Sequence, residues 1–190
     1  MKELKEAILT RGKAINQDVL LVDSFLNHQV DPVLMCHVGE AFADFFRDKA
    51  IDRIVTIESS GIAPATFTAY ALGLPLVILK KQTSRIMKGD LIQTAVRSFT
   101  KGTEYQLTVK REFLPGNERV LFIDDFLASG EAAFGAIRLV EEAGAKVAGI
   151  GIVIEKSFQS GRERLEALGI PVCSLARVRA MGPDGIEFVD

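Results

Sequence analysis

Short apolar runs alternate with longer segments of helical periodicity along most of the chain. Short runs rich in Val, Ile and Leu predict buried strands, and apolar residues spaced three or four apart predict helices. Strands are predicted at Arg53–Ile57, Leu76–Leu79, Val120–Ile123, Val147–Ile154 and Val172–Val178, with an antiparallel pair at Thr94–Phe99 and Tyr105–Val109. Helices are predicted at residues 2–11, from Asp31-Pro32 to about Arg47, from Gly61 to about Leu72, at Ser129–Glu142 and at Gly161–Leu168.

This alternation of strands and helices predicts an α/β protein with a parallel central sheet flanked by helices. In such sheets ligands bind beyond the carboxyl ends of the strands. Polar segments follow predicted strands at Glu58–Gly61, Lys80–Asp90 and Asp124–Ala132. Their positions alone predict that they meet at one binding site.

Composition favours one ordinary globular domain spanning residues 1–190. A net charge of −2 argues against a general nucleic-acid partner. No apolar run approaches the roughly 20 residues that span a membrane, and the first residues lack a secretory apolar core. We therefore expect a cytoplasmic protein with no membrane partner. Two cysteines and two histidines are too few for a disulfide framework or a typical zinc site.

Two acids, Asp124 and Asp125, end the predicted strand at Val120–Ile123. Neighbouring carboxylates repel each other and lose hydration, so a cation or a polar ligand should compensate them. Because side chains alternate along a strand, we expect the two to point in different directions. One would bind vicinal hydroxyls, and the other would hold a metal ion or orient its neighbours. The alternative is a pair of solvated acids at the start of a loop.

A turn of small residues follows the acids and opens a helix. Its members are Ala128, Ser129, Gly130, Glu131 and Ala132. A helix start presents unpaired N–H groups and partial positive charge, which suits a phosphate. By itself the turn favours an ordinary serine cap slightly over a phosphate site. Together with diol-binding acids, however, it indicates a site for ribose 5-phosphate.

The stretch VLFIDDFLASGEAA resembles the ribose-phosphate signature of the type I phosphoribosyltransferases, and the similarity extends over most of the chain. Members of this family transfer ribose 5-phosphate from phosphoribosyl diphosphate to a base nitrogen and release diphosphate. The resemblance implies the family's fold, with a small hood over the base site formed by the N-terminal segment and the C-terminal part. It also implies a mobile loop at about residues 80–110, a homodimer, and Mg²⁺ that is carried by the diphosphate substrate rather than bound directly by the protein.

The resemblance assigns a role to each polar segment. Asp124 and Asp125 would bind the ribose hydroxyls, and the turn Ala128–Ala132 would bind the 5-phosphate. The diphosphate would lie against Glu58, Ser59, Ser60 and Gly61. Lys81 is the favoured catalytic cation, with Lys80, Arg85 and Lys88 as further candidates, because cations near the leaving diphosphate lower the barrier.

Within the family, VLLVDSFLNHQVDP, VTIESSGIAPA and GIGIVIEKSFQ resemble the members that act on xanthine. This implies a purine-salvage enzyme that forms xanthosine 5′-monophosphate. Leu20, Asn27 and Lys156 would contact the xanthine, with Phe126 and Phe158 as candidate stacking faces. The lysine ammonium suits an electron-rich carbonyl or the xanthine anion.

One departure leaves the proton acceptor open. Many family members that act on 6-oxopurines carry Asp where this chain has Ala128, and alanine cannot accept a proton. Adenine, or a 6-oxopurine other than xanthine such as guanine or hypoxanthine, therefore stays an alternative substrate. A regulator that senses phosphoribosyl diphosphate is a second alternative, although the roughly fifty residues before Arg53 are too few for both a hood and an added DNA-binding domain.

Overall fold

The computed structural model describes residues 1–81, 89–97 and 104–189. Its helices are α1 (Lys2–Arg11), α2 (Pro32–Phe46), α3 (Ile62–Leu72), α4 (Glu131–Glu142) and α5 (Gly161–Glu166). Its strands are β1 (Lys13–Ala14), β2 (Leu20–Leu21), β3 (Arg53–Ile57), β4 (Leu76–Leu79), β5 (Leu91–Arg97), β6 (Glu104–Lys110), β7 (Arg119–Leu127), β8 (Lys146–Lys156), β9 (Val172–Gly182) and β10 (Gly185–Phe188). A π-helical turn spans Asp23–Asn27, and 3-10 turns span Arg47–Lys49 and Arg111–Phe113.

The central sheet has the order β10-β9-β8-β7-β3-β4. Its strands are parallel except for β10, which pairs antiparallel with β9. The predicted α/β class with a parallel central sheet is therefore confirmed. After β3 the chain adds β4 on one side and later adds β7 on the other, so the strand order reverses between β3 and β7. Parallel sheets bind ligands at such a reversal, beyond the carboxyl ends of the strands.

The first half of strand β7, Val120–Ile123, is apolar and fully buried, because neighbouring elements cover both of its faces. Val120 and Phe122 belong to one buried cluster with side chains of α4, β5 and β6. Leu121 and Ile123 belong to a second cluster with side chains of α2 and α3. The period of two along the strand thus divides the core into two layers, with the sheet between them.

The carboxyl end of β7 differs from the sequence-based expectation. Its ladder with β8 continues to the pair Leu127–Glu155, so Asp124 and Asp125 lie within the strand rather than at the start of a loop. Helix α4 begins at Glu131, later than the predicted Ser129, because Gly130 has a φ of 89° and cannot belong to a right-handed helix.

The other predicted elements correspond closely to the structure. Asp31 caps α2, its Oδ1 accepting a hydrogen bond from the backbone N–H of Leu34 at 3.1 Å. The predicted antiparallel pair is β5 with β6, whose ladder joins Leu91 to Lys110. Phe99, the predicted end of its first strand, lies outside the described residues.

The N-terminal segment forms a small ribbon beside the sheet. Strands β1 and β2 pair antiparallel, with Ala14 opposite Leu20. Leu20 lies in the same buried cluster as α1 and α2, so the ribbon is attached to the main core. Among the described helices, none is long and apolar enough to cross a membrane.

Candidate active site

Two neighbouring cavities open at the carboxyl edge of the sheet. The larger, of about 630 Å³, lies between the start of α4, the end of β8 and the N-terminal ribbon, and the smaller, of about 210 Å³, lies beyond β3 and β4. Four residues line both cavities: Tyr105, Asp124, Phe126 and Ala132. The pair is large enough for a ligand of nucleotide size, with Asp124 at its centre.

Both predicted acids line the smaller cavity, and Asp124 also lines the larger one. The backbone N–H of Asp125 donates to Oδ1 of Asp124 at 3.0 Å, and the N–H of Phe126 donates to Oδ1 of Asp125 at 3.0 Å. Each carboxylate is thus held against the next peptide group. We expected the alternation along the strand to point the two acids in different directions. Both nevertheless line the wall of the same cavity.

The electrostatic environment of Asp124 is unfavourable for a charge. Burial raises the pKa of this carboxyl well above its usual value, and the charge of Asp125 raises it further. The N–H of Asp125 and the charge of Lys81 oppose this rise in pKa. Lys81 is accordingly a cationic partner of the kind that the paired acids require.

The turn Ala128–Ala132, called the phosphate turn below, lines the larger cavity in full. Gly130 adopts its left-handed conformation at the centre of the turn, and the first N–H groups of α4 follow directly. The N–H groups in the first turn of a helix have no partner inside that helix. Together with the helix dipole they form a suitable cradle for an anion.

The loop after β3 forms the opposite side of the smaller cavity, through Glu58, Ser59, Ser60 and Gly61. A Cβ atom on Gly61 would lie 2.3 Å from Oγ1 of Thr56 and 3.0 Å from Oδ1 of Asp124. Glycine is therefore required here, because it lets the loop approach the acids closely.

Among the predicted basic candidates, Lys81 lines the smaller cavity. Its backbone N–H donates to Oε1 of Glu58 at 2.7 Å, and its Nζ lies 5.8 Å from the centre of the Tyr105 ring. Lys80 instead pairs with Glu58, Nζ to Oε2 at 3.2 Å. Arg85 and Lys88 lie outside the described residues.

Lys156 and Phe126 lie together in the wall of the larger cavity. The Nζ of Lys156 lies 5.4 Å from the centre of the Phe126 ring and donates to the backbone carbonyl of Asp18 at 2.5 Å. Burial lowers the pKa of this ammonium, while the charges of Asp18 and Asp125 oppose that change. A cation and an aromatic face thus stand side by side, at the edge of the cavity nearest the ribbon.

The structure does not place Leu20, Asn27 or Phe158 in the walls of these cavities. Leu20 is 5% exposed because its strand turns it into the core, whereas Asn27 and Phe158 face solvent. Asp18 and Val19, from the same N-terminal segment as Leu20, line the larger cavity instead. The contacts of Leu20 and Asn27 with a base stay predictions.

Sequence reasoning missed several residues in the walls. These are Asp18, Val19, Arg97, Tyr105 and Gln159. Gln159 stands three positions after Lys156, so the segment that contains it was already identified. Tyr105 carried no signal, because it comes from β6, which pairs outside the central sheet.

Comparison with known proteins agrees with this geometry. Residues 31–170 match the phosphoribosyl transferase domain. The chain is 57% identical to xanthine phosphoribosyltransferase 1 of Clostridium botulinum over the full length of both, and 54% identical to the xanthine phosphoribosyltransferase of Agathobacter rectalis over 100% of this chain and 99% of the other. In fold it resembles the adenine phosphoribosyltransferase of Giardia lamblia complexed with 9-deazaadenine, with a TM-score of 0.78 and 24% identity over 92% of this chain and 97% of that one. The protein whose strand β7 carries these acids belongs to the phosphoribosyltransferase family.

Proposed function

We propose that this protein transfers ribose 5-phosphate from phosphoribosyl diphosphate to xanthine, giving xanthosine 5′-monophosphate and diphosphate in purine salvage. The observation that carries the proposal is the position of Asp124 and Asp125, between an anion cradle on one side and a loop with a lysine on the other. Curated relatives more than half identical over the whole chain are xanthine phosphoribosyltransferases.

The cavities suggest how phosphoribosyl diphosphate would lie. Its 5-phosphate would bind the N–H groups of the phosphate turn, and its ribose hydroxyls would donate to Asp124 and Asp125. Its diphosphate would extend into the smaller cavity towards residues 58–61 and Lys81. This arrangement places the ribose C1 atom near the junction of the cavities, where the base can reach it from the larger one.

The chemical step exchanges one bond at C1 for another. The C1–O bond breaks with both electrons leaving on the diphosphate, and a lone pair of a xanthine ring nitrogen forms the new C1–N bond. Negative charge develops on the diphosphate and positive charge on the ribose. Lys81 would stabilise the negative charge on the diphosphate, and the carboxylates of Asp124 and Asp125 would stabilise the positive charge on the ribose. Both effects are strong because the site is partly buried.

Magnesium suits this site as a companion of the diphosphate. Substrate phosphates commonly bind Mg²⁺, so the diphosphate would carry the ion, and Asp124 and Asp125 beside the smaller cavity would add negative charge near it. Within residues 1–81, 89–97 and 104–189 no cluster of three or more potential ligands was found. When bound, the ion would neutralise part of the charge on the leaving diphosphate.

The xanthine would occupy the larger cavity beside Phe126 and Lys156. One of the three N–H groups of the lysine donates to Asp18, which leaves others for a xanthine carbonyl or for the anion. Ala128 lines the same cavity and has no proton-accepting group. The reaction therefore needs an already ionised xanthine or a proton acceptor elsewhere.

We further propose one domain over residues 1–190 that works as a cytoplasmic homodimer without a nucleic-acid or membrane partner. The 57% identity to xanthine phosphoribosyltransferase 1 of Clostridium botulinum, over the full length of both chains, supports one domain. The cytoplasm would supply the charged sugar diphosphate, since such an anion crosses membranes poorly. Light scattering of the purified protein tests the dimer.

Diphosphate release measured with Mg²⁺, phosphoribosyl diphosphate and each purine in turn tests the activity. Xanthine should give the highest kcat/KM among xanthine, guanine, hypoxanthine and adenine. Folded protein that does not turn over xanthine would contradict the proposal, and preference for adenine would favour the first alternative. Tight, salt-sensitive retention of RNA or DNA on a filter would favour the regulator.

A further inference from the structure

Helix α5 contacts the phosphate turn directly. The backbone N–H of Gly161, the first residue of α5, donates to the carbonyl of Ala128 at 3.0 Å. A Cβ atom on Gly161 would lie 2.3 Å from that carbonyl oxygen and 3.1 Å from the nitrogen of Gly130. The two segments are thus in close contact, and the conformation of the turn depends on the position of α5.

Arg164 of α5 makes the polar part of this contact. Its Nη1 donates to the carbonyl of Ser129 at 2.6 Å and to Oε1 of Glu131 at 2.8 Å. Its guanidinium carbon lies 4.4 Å from the centre of the Phe134 ring, on the first turns of α4. One side chain therefore engages the carbonyl, carboxylate and aromatic groups around the phosphate turn.

Glu131 presents an electrostatic problem for the proposed ligand. Glu131 lines the larger cavity, where the 5-phosphate would bind. Two unit charges of like sign 4 Å apart repel by about 4 kcal/mol at the effective dielectric constant typical near a protein surface. A carbonyl oxygen turned towards the phosphate would repel it as well. Arg164 donates to both the carboxylate of Glu131 and the carbonyl of Ser129.

We propose that Arg164 is a positioning residue for phosphoribosyl diphosphate. It neutralises Glu131 and holds the carbonyl of Ser129, so that the phosphate turn presents N–H groups to the 5-phosphate. The inference rests on the proposed function, because that function assigns the phosphate to the turn.

The rest of α5 is anchored firmly enough for this role. Arg162 donates from Nε to Oε2 of the buried Glu155 at 2.8 Å and from Nη2 to the hydroxyl of Ser174 at 3.0 Å. Leu165 is fully buried in the core layer that contains α4. Arg164 is therefore presented from a helix that is fixed to β8 and β9.

Steady-state kinetics of Arg164→Met and Arg164→Lys test the proposal. Removing the charge should raise the KM for phosphoribosyl diphosphate roughly tenfold, the effect of one charge-assisted hydrogen bond, with little change in the KM for xanthine. The KM of Arg164→Lys for phosphoribosyl diphosphate should lie between those of Arg164→Met and the wild type. Arg47→Met is the matched control, because Arg47 forms an exposed ion pair with Asp44 on α2, and its kinetics should equal those of the wild type.

A double-mutant cycle with Glu131→Gln separates positioning from a purely structural role. With Glu131 uncharged, Arg164→Met should raise the KM for phosphoribosyl diphosphate less than it does in the wild type. An unchanged KM in Arg164→Met, or an equal loss in both backgrounds, would overturn the inference. If Arg164→Met does not fold, Arg164→Lys serves in the same cycle. Failure of the wild type to turn over xanthine would instead reject the proposed function.

Discussion

Asp124 on β7 and Glu155 on β8 are both nearly buried, at 8% and 1% exposure, and lie on adjacent parallel strands. Glu155 accepts hydrogen bonds from Ser157 at 2.5 Å, Arg162 at 2.8 Å and Arg177 at 3.1 Å. Asp124 accepts from the N–H of its neighbour Asp125, and the charge of Lys81 acts on it. One acid is paired with two arginines, whereas the other stands beside a second acid.

The pKa values express this difference. Burial by itself would raise the pKa of Glu155, but hydrogen bonds from Arg162, Ser157 and Ser174 and the charge of Arg162 lower it to about 2. Burial and Asp125 raise the pKa of Asp124 instead. A buried acid that accepts hydrogen bonds from its own cations stabilises the fold, whereas one without such hydrogen bonds is available to a ligand that brings donors.

The comparison predicts that Glu155→Gln causes the largest loss of stability. A pKa lowered from 4.5 to about 2 corresponds to about 3 kcal/mol of unfolding free energy, and the variant also leaves Arg162 and Arg177 without their carboxylate. Urea denaturation at pH 7 measures the loss. Glu166→Gln is the control, because Glu166 pairs with the same Arg162 but is 54% exposed, and it should cost less than about 1 kcal/mol.

The same change should alter the acid limb of stability. Because the folded-state pKa of Glu155 is lowered, its contribution is complete above pH 4.5 and is lost as the pH falls towards 2. Glu155→Gln should therefore flatten the stability profile in this window. An unaltered profile, or a variant as stable as the wild type, would show that the two arginines do not stabilise the fold through Glu155.

Asp125→Asn should cause the next largest effect, on ligand affinity. Loss of charge-assisted hydrogen bonds to the ribose hydroxyls should weaken binding of phosphoribosyl diphosphate on the order of 30-fold. Calorimetric titration without xanthine measures this affinity. Asp44→Asn, an exposed acid on α2, should bind as the wild type does. Equal affinity in Asp125→Asn would remove the ribose assignment.

The pH dependence of that binding sharpens the result. Asp124 accepts hydrogen bonds from ribose hydroxyls more strongly when it is ionised, and its pKa is raised. Affinity should therefore decline on acidification at a higher pH than an ordinary Asp would produce. Asp125→Asn removes the charge that helps to raise this pKa, so the decline should move to lower pH.

Lys156→Met should affect the base rather than the sugar. We expect the KM for xanthine to rise about tenfold and the KM for phosphoribosyl diphosphate to change much less, because the ammonium would face the base. Lys5→Met is the matched control: Lys5 also donates to a backbone carbonyl, that of Val189 at 3.2 Å, and also lies over a ring, 5.2 Å from Phe188. A rise confined to the KM for phosphoribosyl diphosphate would place Lys156 at the sugar instead.

Thr56→Val should produce the smallest effect, a gain in stability of about 1 kcal/mol. Thr56 is fully buried, and its Oγ1 has no hydrogen-bond partner among the described residues. An unsatisfied buried hydroxyl costs about 1–3 kcal/mol, and valine has a similar shape without it. Thr68→Val is the control, because the equally buried Thr68 donates to the carbonyl of Pro64 at 2.8 Å. The unfolding temperature should rise in Thr56→Val and fall in Thr68→Val. A change in the same direction in both variants would contradict this account.

Sequence reasoning located best the side of the cavities that we propose for ribose phosphate. The acids and the phosphate turn are contiguous in the chain, at the passage from β7 to α4. Each of these features depends only on residues that are adjacent in the sequence. The local pattern is therefore enough to indicate the strand, the helix and the anion cradle between them.

The base side could not be derived in the same way. Lys156 and Asp18 meet through a contact that spans 138 positions of the chain. Leu20 and Asn27 were inferred by resemblance, yet in the described structure one is buried in the core and the other faces solvent. The local sequence does not predict that Asp18 and Val19, rather than Leu20, line the larger cavity, because this depends on how the ribbon packs against the sheet.

By itself, therefore, the sequence determined the layers, the strand that carries the acids and the turn that follows them, since these depend on period and on residues next to one another. Only the tertiary structure decided that Glu155 is paired with two arginines while Asp124 is not, and that Arg164 engages the phosphate turn. The physical reason is that charge pairing and burial depend on distance in space, and residues far apart in the chain supply the partners.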